Sequence, residues 1–325
     1  MKRILIVFLF TGMGLNVLLL GISCSNQTPN TAFIAPAQTV AANNPAWTPT
    51  PTFTFTPTFT ITPTPIPYPI SGFNAPYALA IDSKNNIYVG DTNNSLIKQY
   101  VNGFLNTAWP SGKAKSSNGL SYTSPKAIAV DYAGYLYVVG SGNNVVSKFD
   151  PNGNFLVQYT TTLLAMNGPL GVAVNSTATT LYVSDSGNNR IMAFSLSGGA
   201  SSVFESLSYV PEGLAVGSNG DLYVAGSSSI SSNVYIYTLS SPATVPTIIP
   251  GFNSPYAVAL DSNNDLFVSD KGNKQIEEFT VGNYFNVPAS IIGLGMLVSP
   301  EGIALDSSAN VYVVDSGNSE LFQFP

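Results

Sequence analysis

The chain has 325 residues, with 11 Lys and Arg against 17 Asp and Glu, no His and one Cys. Charged residues make up only 9%, where an ordinary soluble domain carries about 25%. Without His there is no Ser-His-Asp triad, imidazole base or His-ligated metal. One Cys allows neither an internal disulfide nor a Cys-rich zinc site, and a net charge of −6 lacks the basic field that nucleic acid requires.

Residues 1–23 read as an export signal. Lys2 and Arg3 give a basic start, Ile4 to Gly21 form an apolar run, and Leu20-Gly21-Ile22-Ser23 leads into Cys24. A short apolar segment with a basic start and a small-residue exit is a cleaved signal. The exit resembles a lipobox, although Gly21 stands where the commonest pattern has Leu. That resemblance implies lipidation of Cys24 and a membrane as partner, with the protein held in the cell envelope on the extracytoplasmic side. Ser25 in place of Asp implies the outer membrane in a cell with two membranes. A retained membrane helix, or a signal cut elsewhere, is the alternative. Residues 24–65 carry no charged side chain, and Thr fills every even position from Thr48 to Thr64 between repeated Pro and Phe. Proline deprives a ladder of N–H donors, so an extended polyproline-like tether is expected, at about 3.1 Å per residue.

From residue 66 to 325 the chain repeats. A proline recurs at Pro76, Pro125, Pro169, Pro211, Pro255 and Pro300. Six residues after each stands Asp82, Asp131, Asn175, Gly217, Asp261 or Asp306, and nine or ten further on stands Asp91, Gly140, Asp185, Gly226, Asp270 or Asp315. An aromatic closes five of the units, Tyr100, Phe149, Phe194, Phe279 and Phe324, with Tyr235 and Tyr237 serving the fourth. The segments after the prolines, such as Ala78-Leu79-Ala80-Ile81 and Gly302-Ile303-Ala304-Leu305, alternate small and large. Period-2 alternation puts one kind on each face of a strand, so a large face is expected to meet a neighbour's small face. A second strand of the Ile87-Tyr88-Val89 type, a third ending at the aromatic, and a fourth in the variable stretch, such as Thr247-Ile248-Ile249, complete each unit.

Six units of four strands predict an all-β protein, a six-bladed β-propeller of four-stranded antiparallel blades. The pattern resembles the NHL repeat family, most closely at Asp185-Ser186-Gly187-Asn188-Asn189-Arg190-Ile191 and Asp315-Ser316-Gly317-Asn318, and departs from it at Gly140 and Gly226. Six-bladed relatives include streptogramin B lyases and peptide-amidating lyases, which rely on His, and calcium-dependent lactonases. The resemblance therefore leaves a calcium-dependent, lactonase-like hydrolase as the enzymatic alternative.

The repeated Asp residues are read as structural, accepting backbone N–H groups in tight turns. The Gly-Asn pairs, such as Gly187-Asn188 and Gly272-Asn273, are read as turn residues taking positive φ. More informative are the positions directly after each proline: Tyr77, Lys126, Leu170, Glu212, Tyr256 and Glu301. They vary while their neighbours repeat, and they are expected to ring one mouth of the central channel. Glu212 and Glu301 are the candidate acceptors for calcium or for hydroxyls; otherwise no cofactor is expected. Tyr77 and Tyr256 offer flat apolar faces of the kind that line ligand sites. The expected role is a surface-displayed, non-enzymatic binding module for a protein, glycan or small ligand, acting as a monomer; a structural envelope protein is the third reading. Because the chain stops after the third strand of the sixth unit, residues near 66–71 are expected to pair with 320–324 and close the ring.

Overall fold

The computed structural model describes residues 68–109, 122–160, 164–198, 201–240, 245–285 and 288–325, with the backbone of four short strands at Ile4–Thr11, Gly14–Gly21, Lys115–Ser116 and Gly119–Leu120. Cys24 and the tether up to residue 65 lie outside the described residues. The chain divides into two units, Met1–Thr62 and Pro63–Pro325. In the first, Ile4–Thr11 and Gly14–Gly21 form an antiparallel pair. Among the described residues no helix is long and apolar enough to cross a membrane.

The second unit is a six-bladed β-propeller. Five blades are antiparallel four-stranded sheets whose strands follow chain order from the centre outward, and the sixth has three strands. The innermost strands are Pro76–Ile81, Pro125–Val130, Gly171–Val174, Val210–Val216, Pro255–Leu260 and Pro300–Leu305. Each lies against the next, and the sixth lies against the first. The expected fourth strand of the fourth unit is present at Thr247–Pro250, whereas in blade one the outermost strand shrinks to Phe104–Leu105.

Six hydrophobic cores fill the six gaps between blades, and small-against-large alternation assigns their sides. Between blades one and two, Ala78 and Ala80 meet Ile128. Between blades two and three, Ala127 and Ala129 meet Val172, and between five and six Ala257 and Ala259 meet Ile303. The aliphatic face of every inner strand therefore looks back to the preceding blade and its alanine face looks forward. An alanine face lets the next sheet approach closely, while the larger side chains exclude water.

The repeated Asp residues are structural ties. Asp82 accepts the N–H groups of Lys84 and Asn86 through Oδ1 and the Tyr88 hydroxyl through Oδ2. Asp306 repeats this with Ser308, Asn310 and Tyr312. In the four units that have it, the later Asp holds the loop that leads into its own inner strand. Asp91 accepts from Asn74 N–H at 2.7 Å, Asp185 from Asn167 at 2.7 Å and Asp270 from Asn253 at 2.9 Å. The glycines of the Gly-Asn pairs have a different reason from the one expected. Positive φ falls one residue beyond the pair, at Asn144, Asn189, Lys274 and Ser319. Gly187 and Gly272 are needed instead because the incoming loop passes too close: a Cβ on Gly187 would sit 2.6 Å from the Asn167 carbonyl oxygen, and one on Gly272 only 2.4 Å from Asn253.

The ring closes where expected, by a shorter device. Ile70 and Leu321 exchange two backbone hydrogen bonds of 2.8 Å each, as a single bridge. Pro69 has no N–H to extend the ladder, and at Gly72 the backbone turns to φ 92°. Ile70 and Phe73 are buried in the core between blades six and one.

Candidate functional site

At the mouth of the channel, the six positions that follow the repeat prolines stand at the starts of the six inner strands. Tyr77, Lys126, Leu170 and Tyr256 line a cavity of about 80 Å³ in the channel. The carboxyl groups of Glu212 and Glu301 turn instead toward the ends of their own blades' second strands. Glu301 Oε1 accepts from Ser316 Oγ at 2.9 Å and Ser299 Oγ at 3.1 Å, and pairs with Lys271 Nζ at 2.8 Å. Among the described residues Glu212 Oε1 receives only Ser227 Oγ, at 3.4 Å.

Lys271 belongs to the site although sequence reasoning passed over it. The residues one place beyond the later turn position are Thr92, Ser141, Ser186, Ser227, Lys271 and Ser316. Five are hydroxyls, four of which bond to the neighbouring inner strand or to the mouth carboxylates. The fifth blade alone replaces the hydroxyl with an ammonium. Its nitrogen lies 5.3 Å from the Tyr256 ring and 5.7 Å from the Tyr77 ring, and the two rings meet edge-on at 5.7 Å. Lys126 Nζ sits over the other reach of Tyr77, 3.0 Å from its centroid.

The electrostatics follow from burial. Loss of hydration lowers the Lys126 ammonium to about 8, against the pull of Glu301 and Glu212 and with the push of Lys271. Burial pushes Glu212 up to about 7, Lys271 opposing and Glu301 assisting. Burial disfavours the Lys271 charge, but Glu301 outweighs it and holds the ammonium protonated. The Tyr256 hydroxyl is raised well above its ordinary range, first by burial and then by the two carboxylates. Among the described residues Glu301 Oε2 and Tyr256 Oη are both buried without a hydrogen-bond partner.

Calcium fits this arrangement poorly. It takes six to eight oxygens, yet Glu301 Oε1 is already held by an ammonium and two hydroxyls. Among the described residues no three of His, Cys, Asp and Glu gather as a metal site requires.

Residues 297–324 match the NHL repeat family and residues 117–145 a beta-propeller repeat family. No curated protein sequence matches the chain. Among solved structures, a chain of a nidogen–laminin complex is 16% identical with a TM-score of 0.59, over 71% of this chain and 84% of that one. A streptogramin B lyase is 12% identical with a TM-score of 0.57, over 78% and 95%. A virginiamycin B lyase from Staphylococcus aureus, a catalytically inactive His-to-Ala variant with quinupristin, is 15% identical with a TM-score of 0.55, over 78% and 97%. At these identities the likeness is one of fold.

Proposed function

We propose that the protein is a non-enzymatic binding module, displayed outside the cell on a lipid carried by Cys24, which recognises its ligand at the channel mouth. One observation carries the reading: four side chains that differ in chemistry, Tyr77, Lys126, Leu170 and Tyr256, line one end of the channel, while the framework around them repeats. Repeated residues build the blades, and the varied ones are free to serve a ligand. The lyase neighbours give no competing reading, since replacing a His leaves one of them inactive and this chain has none. A calcium-dependent hydrolase would have to displace Lys271 from Glu301.

The module reading is tested by labelling the full-length protein with an amine-reactive reagent in the presence of fractionated envelope extract. A ligand at the mouth slows labelling of Lys126 and leaves the exposed Lys84 and Lys274 unchanged; no fraction protecting Lys126 would overturn the reading. Calcium should leave the melting temperature unchanged. A calcium-dependent rise that Glu212→Gln with Glu301→Gln abolishes would favour the hydrolase instead. Cys24→Ala should release the protein from the membrane fraction, and unchanged fractionation would remove the anchor from the proposal.

A further inference from the structure

We infer that Asp270 and Glu277 form a pH latch: sharing one proton they fasten loop 251–254 into blade five, and losing it they release that loop. The loop leads to Tyr256, so the latch bears on the shape of the mouth, a step that rests on the mouth being the binding site.

Blades one and three show what this place in the frame otherwise holds. Asp91 pairs with Lys98 Nζ at 2.8 Å, and the same ammonium donates to the Gly72 carbonyl at 2.8 Å. Asp185 pairs with Arg190 Nε at 2.6 Å, and that guanidinium donates to the Leu164 carbonyl at 2.8 Å. Both carboxylates are fully buried, so each cation neutralises a charge that water does not reach and ties down the incoming loop. Blade five has neither cation. Gln275 stands at the ladder position of Arg190, and Glu277 at that of Lys98. Asp270 is fully buried, Glu277 is 8% exposed, and their carboxyl groups are hydrogen-bonded to each other. Ionised carboxylates only accept, so a bond between the two requires a proton on one of them. Burial raises both groups, because loss of hydration disfavours the charged form.

No neighbouring charge takes the proton's place among the described residues. Lys271 is engaged by Glu301, and Lys274, exposed on the turn, makes no ion pair. Glu278 lies on the opposite face of its strand and accepts from Ser290. Blade four, which packs on this side, brings Tyr223, its hydroxyl turned to that of Tyr284. Loop 251–254 and the outer strand Ser290–Ile292 carry no charged side chain.

The loop is fastened through Asp270 itself. Asn253 N–H donates to its Oδ1 at 2.9 Å, and Gly272 N–H donates to the Asn253 carbonyl at 2.7 Å. Once the shared proton leaves, two like charges adjoin in a dry place and repel. Glu277 can turn toward water, but Asp270 gains water when the loop lifts from it. The pair's stabilisation is complete below the ordinary carboxylate range and is lost as pH rises through the raised folded value. In blades one and three a cation, rather than a proton, neutralises the Asp, so those loops have no such release.

Amide exchange of the full-length protein tests the latch, followed from about pH 4 to about pH 8 and expressed relative to the unstructured chain at each pH. Protection at Asn253 and Gly272 should fall as pH rises, by up to about tenfold per pH unit for one proton. Asn74 and Asn167, whose N–H groups bond to Asp91 and Asp185, should hold theirs. Glu277→Gln keeps a neutral partner for Asp270 and should abolish the fall, as should Glu277→Lys by copying blade one. Equal loss in all three loops, a fall that survives Glu277→Gln, or flat protection at Asn253 would each overturn the latch. The three loops are compared within the wild-type chain, so the test stands even where a variant does not fold. Failure of the latch leaves the module reading in place. No extract fraction protecting Lys126 at any pH would overturn that reading and leave the latch.

Discussion

Blades one and five place opposite charges at one register position. Lys98 and Glu277 stand opposite Val89 and Val268 in equivalent ladders. Lys98 pairs with the buried Asp91 at 2.8 Å, whereas Glu277 shares a hydrogen bond with the buried Asp270, and burial raises both carboxyls. A raised carboxyl binds its proton more tightly in the folded state. Its contribution to stability is therefore complete below the ordinary carboxylate range, near about 4.3, and is lost as pH rises through the folded value. Glu277→Lys recreates the blade-one pair, so it should raise stability at pH 7 by about 1 kcal/mol and flatten the decline above pH 4.3. Denaturant titrations across pH read both effects, and an unchanged pH profile would count against the shared proton. Lys126 has the opposite sign. Its ammonium is lowered to about 8 from 10.5, so the folded state disfavours the charge, with the whole penalty present at pH 7 and relieved as pH climbs from 8 to 10.5. Lys126→Met should thus be more stable than wild type at pH 7, by about 1 kcal/mol after allowance for solvent screening, with the gap closing toward pH 10.5.

Blades are joined by hydroxyls as well as by apolar cores. Thr92 Oγ1 donates to the Pro125 carbonyl at 2.6 Å, Ser186 Oγ to that of Pro211 at 2.5 Å and Ser269 Oγ to that of Pro300 at 2.9 Å. Each bond fastens the end of a second strand to the repeat proline at the start of the next blade's inner strand. Thr92→Val and Ser186→Ala each strand a buried carbonyl and should cost about 1–2 kcal/mol. The two sites share no partner, so the double variant should be additive to within about 0.5 kcal/mol, as urea unfolding would measure. A strongly non-additive result would mean that the blades do not respond independently. The sequence pattern was most legible for these elements because it repeats: proline, turn Asp, Tyr-Val strand and closing aromatic each recur in register and each has one structural duty. Lys271 stayed hidden because it occupies the hydroxyl register rather than the post-proline one, and only comparison of that second column across six blades exposes it. The turn of Glu212 and Glu301 toward their own blades was likewise not legible, since beside the adjacent Ser299 it depends on Ser227, Ser316 and Lys271 reaching them from other parts of the chain. The outermost strands lie in the variable stretches, where no repeated column marks their ends.

Closure of the ring depends on very little chain. The sixth blade ends in Glu320–Phe324, and its outer edge is capped by one residue pair, Ile70 with Leu321. An uncapped apolar edge invites pairing with another chain, so this bridge bears on solubility as well as stability. Ile70 is 5% exposed and packs with Phe73, Leu321 and Val314, while Tyr68 meets Tyr312 edge-on at 5.6 Å. Burial of one isoleucine contributes about 1.5–3 kcal/mol, and the two backbone bonds add about 0.5–1.5 kcal/mol each. Deleting residues 66–71 should therefore cost about 3–5 kcal/mol and leave Leu321 and Phe322 facing water. Ile70→Ala keeps the backbone bonds and loses the packing, so it should cost about 2–4 kcal/mol. Ile248 is a suitable control, an outer-strand isoleucine of blade four that is 44% exposed; Ile248→Ala should stay within about 0.5 kcal/mol of wild type. Hydrogen exchange adds a positional readout. In Ile70→Ala the amides of residues 321–324 and of the first inner strand, Pro76–Ile81, should lose protection together, because the sixth and first blades share one core. Blades three and four, on the far side of the ring, should keep theirs. Loss of protection spread evenly over all six blades would instead show that the ring opens only as a whole and that Ile70 is not its latch.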